Sequence, residues 1–168
     1  DAAFVSGPVN GRDITVGTGF RAQSFRAVNI GEVMDPLVMV DHFVMTEPTF
    51  GVHPHAGMSA VSLLFEDSEG IFHNRDSLGN HLDLRPGDLY WLSTGSGAVH
   101  DEYPLANSHI HALQVFVNVP QAQRLKAPIS RLVRSEDMPV IHTEEYRVKV
   151  VLGESNNICG AASPSIPM

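Results

Sequence analysis

No stretch of this chain keeps one character for long, because every apolar run is cut short by a turn signal. VMDPLVMVDHFVM (33–45) is entered through Asp35-Pro36, and SAVSLLFE (59–66) meets the cluster Asp67-Ser68-Glu69-Gly70. IFHNRD (71–76) runs into Ser77-Leu78-Gly79-Asn80, and Leu82 and Leu84 alternate with polar residues before Pro86-Gly87. That Pro-Gly pair suits the two central positions of a type II turn, where glycine supplies the positive φ. Residues 89–92 read as a further strand, 95–97 as a loop, and HIHALQVFVNV (109–119) as a long strand rich in β-branched and aromatic side chains. Turns recurring about every 8–12 residues are the pattern of a β-sandwich or a closed barrel. Helix signals are poor; the best is the short QAQRLK (121–126) after Pro120.

The 168 residues suffice for one self-supporting domain, or one domain and the start of another. An apolar fraction of 43% and a charged fraction of 18% are those of a folded chain. The net charge of −8, with arginines scattered singly, argues against direct nucleic-acid binding, since phosphate-binding surfaces need a basic stripe. A protein partner stays open. No apolar run approaches the roughly 20 residues of a membrane span, and DAAFVSGPVNG at the amino end has neither the basic nor the apolar block of a signal peptide. With Cys159 as the single cysteine, no intrachain disulfide can form, and the expected location is the cytoplasm. The character changes near residue 131: RSEDMP (134–139) reads as a linker and YRVKVVL (146–152) as one more strand.

Chemistry concentrates in two short motifs. His53-Pro54-His55 sets two imidazoles two residues apart, and His100 and Glu102 repeat that spacing after 44 intervening residues. On a strand, residues i and i+2 share a face, so each pair can aim at one point. Two such pairs on neighbouring strands would gather three nitrogens and a carboxylate, leaving open positions on a metal that prefers five or six ligands. Imidazole suits Fe, Zn, Cu and Ni, and a histidine–carboxylate set with open positions is like that of non-haem iron oxygenases. Spacing alone leaves a rival, because His109 and His111 form another such pair.

DPLVMVDHF (35–43), GVHPHAGMSAV (51–61), FHNRDSLGNHLDLRPGDLYWLSTGSGAVHDE (72–102) and HALQVFVNVP (111–120) together resemble the pirin family of the cupin superfamily, in order and with matching spacing. The resemblance implies an all-β fold, the cupin double-stranded β-helix or jelly-roll barrel, over residues 1–133. It implies that residues 134–168 are a linker and the start of a truncated second cupin domain, since pirins usually continue into one. The implied metal ligands are His53, His55, His100 and Glu102, in preference to His109 and His111. The implied cofactor is one divalent metal ion, usually Fe(II), with Zn, Mn, Ni, Cu and Co as alternatives. After His55 this chain has Ala56, Met58 and Ser59 where pirins commonly have Arg, Phe and Glu. Ser59 thus stands where a further metal carboxylate would be expected, leaving Glu102 to serve alone.

The function implied is a metal-dependent dioxygenase of the quercetin 2,3-dioxygenase type, taking a small flavonol-like aromatic substrate and O2, with Glu102 as catalytic base. The alternative is a non-catalytic, metal-binding regulatory module resembling the pirins that act as transcription cofactors. Met39, Phe43, Met45, Phe50, Met58 and Trp91 are candidates to line an apolar pocket. His42 and His73 are expected in the core or beside the ligands, Asp76 and Asn80 in a turn, and Gly51, Gly57, Gly87 and Gly97 where the backbone demands glycine.

Overall fold

Strict alternation along the strands builds the molecule as two sheets with a shared interior. In the computed structural model, which describes residues 7–162, Leu37–Met45 (β3) turns Met39, Phe43 and Met45 inward and leaves His42 exposed on the other face. The strands before it are Arg12–Val16 (β1) and Phe20–Arg26 (β2). Next come His53–His55 (β4), Met58–Leu64 (β5), Phe72–Asp76 (β6), His81–Leu84 (β7), Leu89–Ser93 (β8) and Ala98–Pro104 (β9). Ile110–Asn118 (β10) and Ile129–Val133 (β11) complete the barrel. One sheet runs β1-β2-β3-β10-β5-β8-β11 and the other β4-β9-β6-β7, every pairing antiparallel. This is a double-stranded β-helix. Phe20, Phe43, Leu64, Phe72, Tyr90 and Ile110 fill it between the sheets, each full burial contributing roughly 1.5–3 kcal/mol.

The expected strands appear in place, whereas β1 and β2 carry no clear pattern in the sequence. The inward positions of β2 include Ser24 alongside Phe20 and Ala22, so its alternation is not one of apolar against polar. The candidate helix 121–126 is a single 3-10 turn, Gln121–Gln123, since a run so short cannot repay helix nucleation. The glycines expected at special backbone positions all have positive φ: +65° at Gly51, +71° at Gly57, +84° at Gly87 and +142° at Gly97.

Residues 134–162 fold back onto the barrel. Val140–His142 (β12) pairs with Arg147–Lys149 (β13), a strand shorter than 146–152, and Glu154–Ser155 (β14) with Ile158–Cys159 (β15). Met138, which falls in the stretch read as a linker, is buried with Ala162 against Val61, Leu89, Trp91, Val117 and Val133 on the outer face of the larger sheet. Trp91 therefore faces away from the barrel interior: on β8 it alternates with Tyr90 and Leu92, which take the interior. Residues 1–6, part of the stretch searched for signal-peptide features, and the proline-containing residues 163–168 lie outside the described residues.

Candidate metal centre

The His-Pro-His run forms β4, an edge strand of the smaller sheet paired only with β9. Proline has no N–H to give a ladder, so an edge is where it fits, and its fixed φ stiffens the strand between the two histidines. The register sets His53 opposite His100 and His55 opposite Ala98. On β9's other side, Asn74 of β6 lies opposite Glu102. Two edges of β9 thus bring both motifs to one end of the barrel.

Nε2 of His53 and Nε2 of His100 face each other at 3.1 Å. The ring of His55 stands 4.9 Å from that of His53 and 5.0 Å from that of His100. One nitrogen from each of the three histidines falls within 4.8 Å of the others, and His55 Nε2 is buried without a hydrogen-bond partner. His53 Nδ1 lies 2.8 Å from the Gly51 carbonyl, to which it donates, so its Nε2 carries the lone pair. Glu102 stands beside the trio. Its Oε1 accepts from Ser62 Oγ at 2.6 Å and Asn74 Nδ2 at 2.7 Å, while Oε2 lies 3.9 Å from His100 Nδ1. Among the described residues no hydrogen bond engages Oε2. The converging nitrogens of the three histidines, one of them an orphaned ring nitrogen, fit one divalent cation, and Glu102 lies next to that set without being part of it.

Burial, followed by the neighbouring imidazoles His100 and His53, lowers His55 to about 4. Burial and then His53 lower His100 to about 4 as well. Both are therefore neutral near pH 7, as ligation requires. Glu102 is pushed up by burial, against the hydrogen bonds from Ser62 and Asn74. Because the unfolded chain binds protons at these histidines below their ordinary value near 6.5 while the folded chain does not, the two histidines withdraw stability from the metal-free protein as pH falls from about 6.5 to 4, while the raised Glu102 acts in the opposite sense. For an imidazole as buried as His100, at 2% exposure, the loss by pH 5 is roughly 2 kcal/mol. In chelator-treated Glu102→Gln, which lacks the opposing contribution of the raised Glu102, the urea midpoint is expected to drop by about 1 M between pH 7 and pH 5; an unchanged midpoint there would contradict the neutral buried assignment.

Above the histidines lies a cavity of about 270 Å³ walled by Met39, Phe43, Met45, Phe50, Phe72 and Phe116. Phe116 meets His55 edge-on, ring centroids 5.0 Å apart. Met58, another expected wall residue, is absent from the lining. Three polar side chains also border the space, none singled out from the sequence: Arg26, Asp41 and Gln114. Arg26 pairs with Asp41 at 3.2 Å, and Ser24 donates to the same carboxylate. Ser62 Oγ lies 3.0 Å from Gln114 Oε1. The signal for Asp41 and Gln114, and for Ser62 beside Gln114, is a polar residue in the inward phase of an apolar strand: Asp41 between Met39 and Phe43, Ser62 between Ala60 and Leu64, Gln114 between Ala112 and Phe116.

His109 and His111 are not brought to the centre. His109 is exposed, its backbone bridged to Glu69, and His111 points outward. His42 and His73, expected inside, sit on outer faces, because each is one position out of phase with the inward residues beside it. His73 Nδ1 meets Asp83 at 2.7 Å. Position 59 faces away from the histidines too, with Val61 and Leu63 in the outward phase of β5, so a carboxylate there would not reach the centre. Asp76 and Asn80 do form a turn: Asp76 Oδ1 accepts from the Leu78 amide at 2.8 Å and from the Asn80 side chain at 3.0 Å.

A double-stranded β-helix with histidines and a carboxylate on adjoining strands at its mouth defines a cupin. Residues 13–117 match the family model described as Pirin, and the chain belongs to the pirin family. It is 32% identical to mouse pirin over 150 residues and 31% identical to human pirin over the same length, in each case 88% of this chain and 50% of the relative. The chain thus spans about half the length of the curated relatives it matches. Among solved structures, GK1651 from Geobacillus kaustophilus superposes with a TM-score of 0.79 at 30% identity, covering 95% of this chain and 63% of that one. A quercetin 2,3-dioxygenase from Acinetobacter baumannii gives 0.79 at 24% identity, over 94% of this chain and 59% of the other. The Escherichia coli pirin YhhW in complex with nickel(II) gives 0.62 at 19% identity, over 77% and 57%. These last two likenesses concern the fold. No helix among the described residues is long and apolar enough to cross a membrane.

Proposed function

We propose that the chain holds one divalent ion, Fe(II) in the cell, through His53, His55, His100 and Glu102, and oxidises a flavonol-like aromatic substrate with O2. The observation that carries this reading is the convergence of the three imidazoles beside a buried carboxylate, at the floor of an apolar, largely aromatic cavity. The substrate class follows the Acinetobacter baumannii neighbour, and nickel(II) in YhhW supports divalent binding by such a barrel. When bound, the ion supplies Lewis acidity and electron transfer. The protein does the rest. Phe50, Phe72 and Phe116 bury the flat rings and exclude water. Ser62 and Asn74 fix Glu102 through Oε1, leaving Oε2 to hold the ion and, in turn, to take the proton of a substrate hydroxyl. Burial raises Glu102, which brings its proton affinity closer to that of a phenol. The cytoplasm, a reducing compartment, suits the unpaired Cys159.

The test is O2 uptake by Fe(II)-loaded protein with quercetin, against protein kept in chelator. Uptake that requires the metal supports the reading. One bound iron per chain with no uptake from any flavonol would overturn it and favour the metal-binding regulatory module.

A further inference from the structure

A second pair of histidines meets on the outer wall of the barrel, where the phase of the strands turns side chains away from the cavity. His42 on β3 lies opposite Leu113 and His111 on β10 lies opposite Val44, so the two are diagonal neighbours on adjacent antiparallel strands. Their Nε2 atoms face each other at 2.6 Å, with ring centroids 4.9 Å apart. Nδ1 of His111 lies 2.8 and 3.0 Å from the two oxygens of Asp67. Phe65 packs against both rings, at 5.5 Å from His42 and 4.6 Å from His111.

The protons follow from these contacts. A carboxylate only accepts, so His111 carries its hydrogen on Nδ1 and a neutral ring then presents a lone pair at Nε2. Among the described residues His42 Nδ1 has no hydrogen-bond partner, so nothing in the fold prevents its hydrogen from residing there, facing solvent, with a second lone pair on Nε2. At 2.6 Å the pair is held either by a hydrogen bond, with His42 Nε2–H donating to the His111 lone pair, or, with the His42 hydrogen on Nδ1, by a cation shared between the two lone pairs. A ligating imidazole whose other nitrogen donates to a carboxylate is the usual arrangement at protein metal sites.

We propose that His42 and His111 chelate a borderline divalent cation of the Zn(II) type through their Nε2 atoms, with Asp67 holding His111 in the ligating tautomer and water completing the shell. Two imidazoles favour Zn(II), Ni(II) or Cu(II) over the oxygen-seeking Mg(II) and Ca(II). Bonds of about 2.0–2.1 Å in a tetrahedral shell put the two nitrogens roughly 3.3 Å apart. The pair must therefore open slightly, which the exposed His42 ring can do by rotating about its side-chain bonds. The ladder between β3 and β10 fixes both backbones in advance. This site is separate from the barrel centre, because His42 and Phe43 point to opposite faces of β3.

Equilibrium dialysis of the full chain against Zn(II) at neutral pH, with His42→Ala, His111→Ala and His53→Ala alongside, decides the matter. Wild type is expected to bind two zinc ions, and each of the three variants one. Asp67→Asn is expected to keep both ions but weaken the outer one roughly 10–100-fold. His42 is exposed and His111 half-exposed, so retention of the barrel zinc in their variants also reports an intact fold. If the barrel itself takes no zinc, a single ion that disappears in His42→Ala still supports the outer site. A zinc count that is the same in His42→Ala and His111→Ala as in wild type overturns it. O2 uptake plays no part in the count, so failure of the dioxygenase reading and failure of this one are distinguishable.

Discussion

Replacing His100 with alanine is expected to strip the barrel centre of its ion and reduce O2 uptake with quercetin to background. His100 sits between the two motifs: opposite His53 across the β4–β9 pair, and two residues from Glu102 on its own strand. Its Nε2 is 3.1 Å from that of His53, so losing it leaves two imidazoles and a carboxylate around a gap in the buried wall. Binding to the folded state alone stabilises it by about 2.7 kcal/mol at a ligand concentration 100 times Kd. For a domain of this size that is a rise in Tm of roughly 5–10 °C. Wild type should show this rise on loading with Fe(II) or with redox-inert Ni(II), and His100→Ala should not. Differential scanning calorimetry with and without metal, run beside the oxygen electrode, checks both halves. A variant that still gains stability from metal and still consumes oxygen would remove His100 from the ligand set.

Changing Glu102 to glutamine should separate turnover from folding. The amide preserves size and can keep the acceptor at Oε1 that Ser62 and Asn74 address, but it has no base at the other position. Loss of a positioned general base costs typically 10²–10⁴-fold in rate, so kcat for the flavonol is expected to fall by about that factor at saturating Fe(II). Stability should move the other way. Burial raises Glu102 in the folded protein, meaning that its ionised form is disfavoured there, and a neutral side chain relieves that penalty at pH 7. Chelator-treated Glu102→Gln is thus expected to melt no lower than chelator-treated wild type. An unchanged kcat would show that Glu102 takes no proton. A large drop in the metal-free Tm would show that it serves chiefly as a structural acceptor.

The strand phases explain why some features of the fold are legible in the sequence and others are not. A period of two is a local property, legible wherever the buried positions are also the apolar ones. β3 and β10 fit this description, and both stand where the runs 33–45 and 109–119 place them. β2 does not, since Ser24 holds an inward position in order to meet Asp41. Phase also decides which histidines converge. His53, His55 and His100 share the interior, whereas His42, His73 and His111, in equally strand-like surroundings, face out. The same rule removes Trp91 from the cavity and turns position 59 away from the centre.

By itself, then, the sequence determined the all-β architecture, the turns and the two histidine-bearing motifs, because turn chemistry and i, i+2 spacing are fixed within a few residues. Only the tertiary structure decided what those motifs meet. Pairing β9 with β4 on one edge and β6 on the other joins segments 44 residues apart, brings Asn74 to Glu102, and sets Ser62 from the opposite sheet against the same carboxylate. It also folds residues 134–162 over Trp91 and the outer wall, and leaves His42, His111 and Asp67 together. Contacts of this kind depend on the register and packing of strands remote in sequence, which no short window of residues encodes.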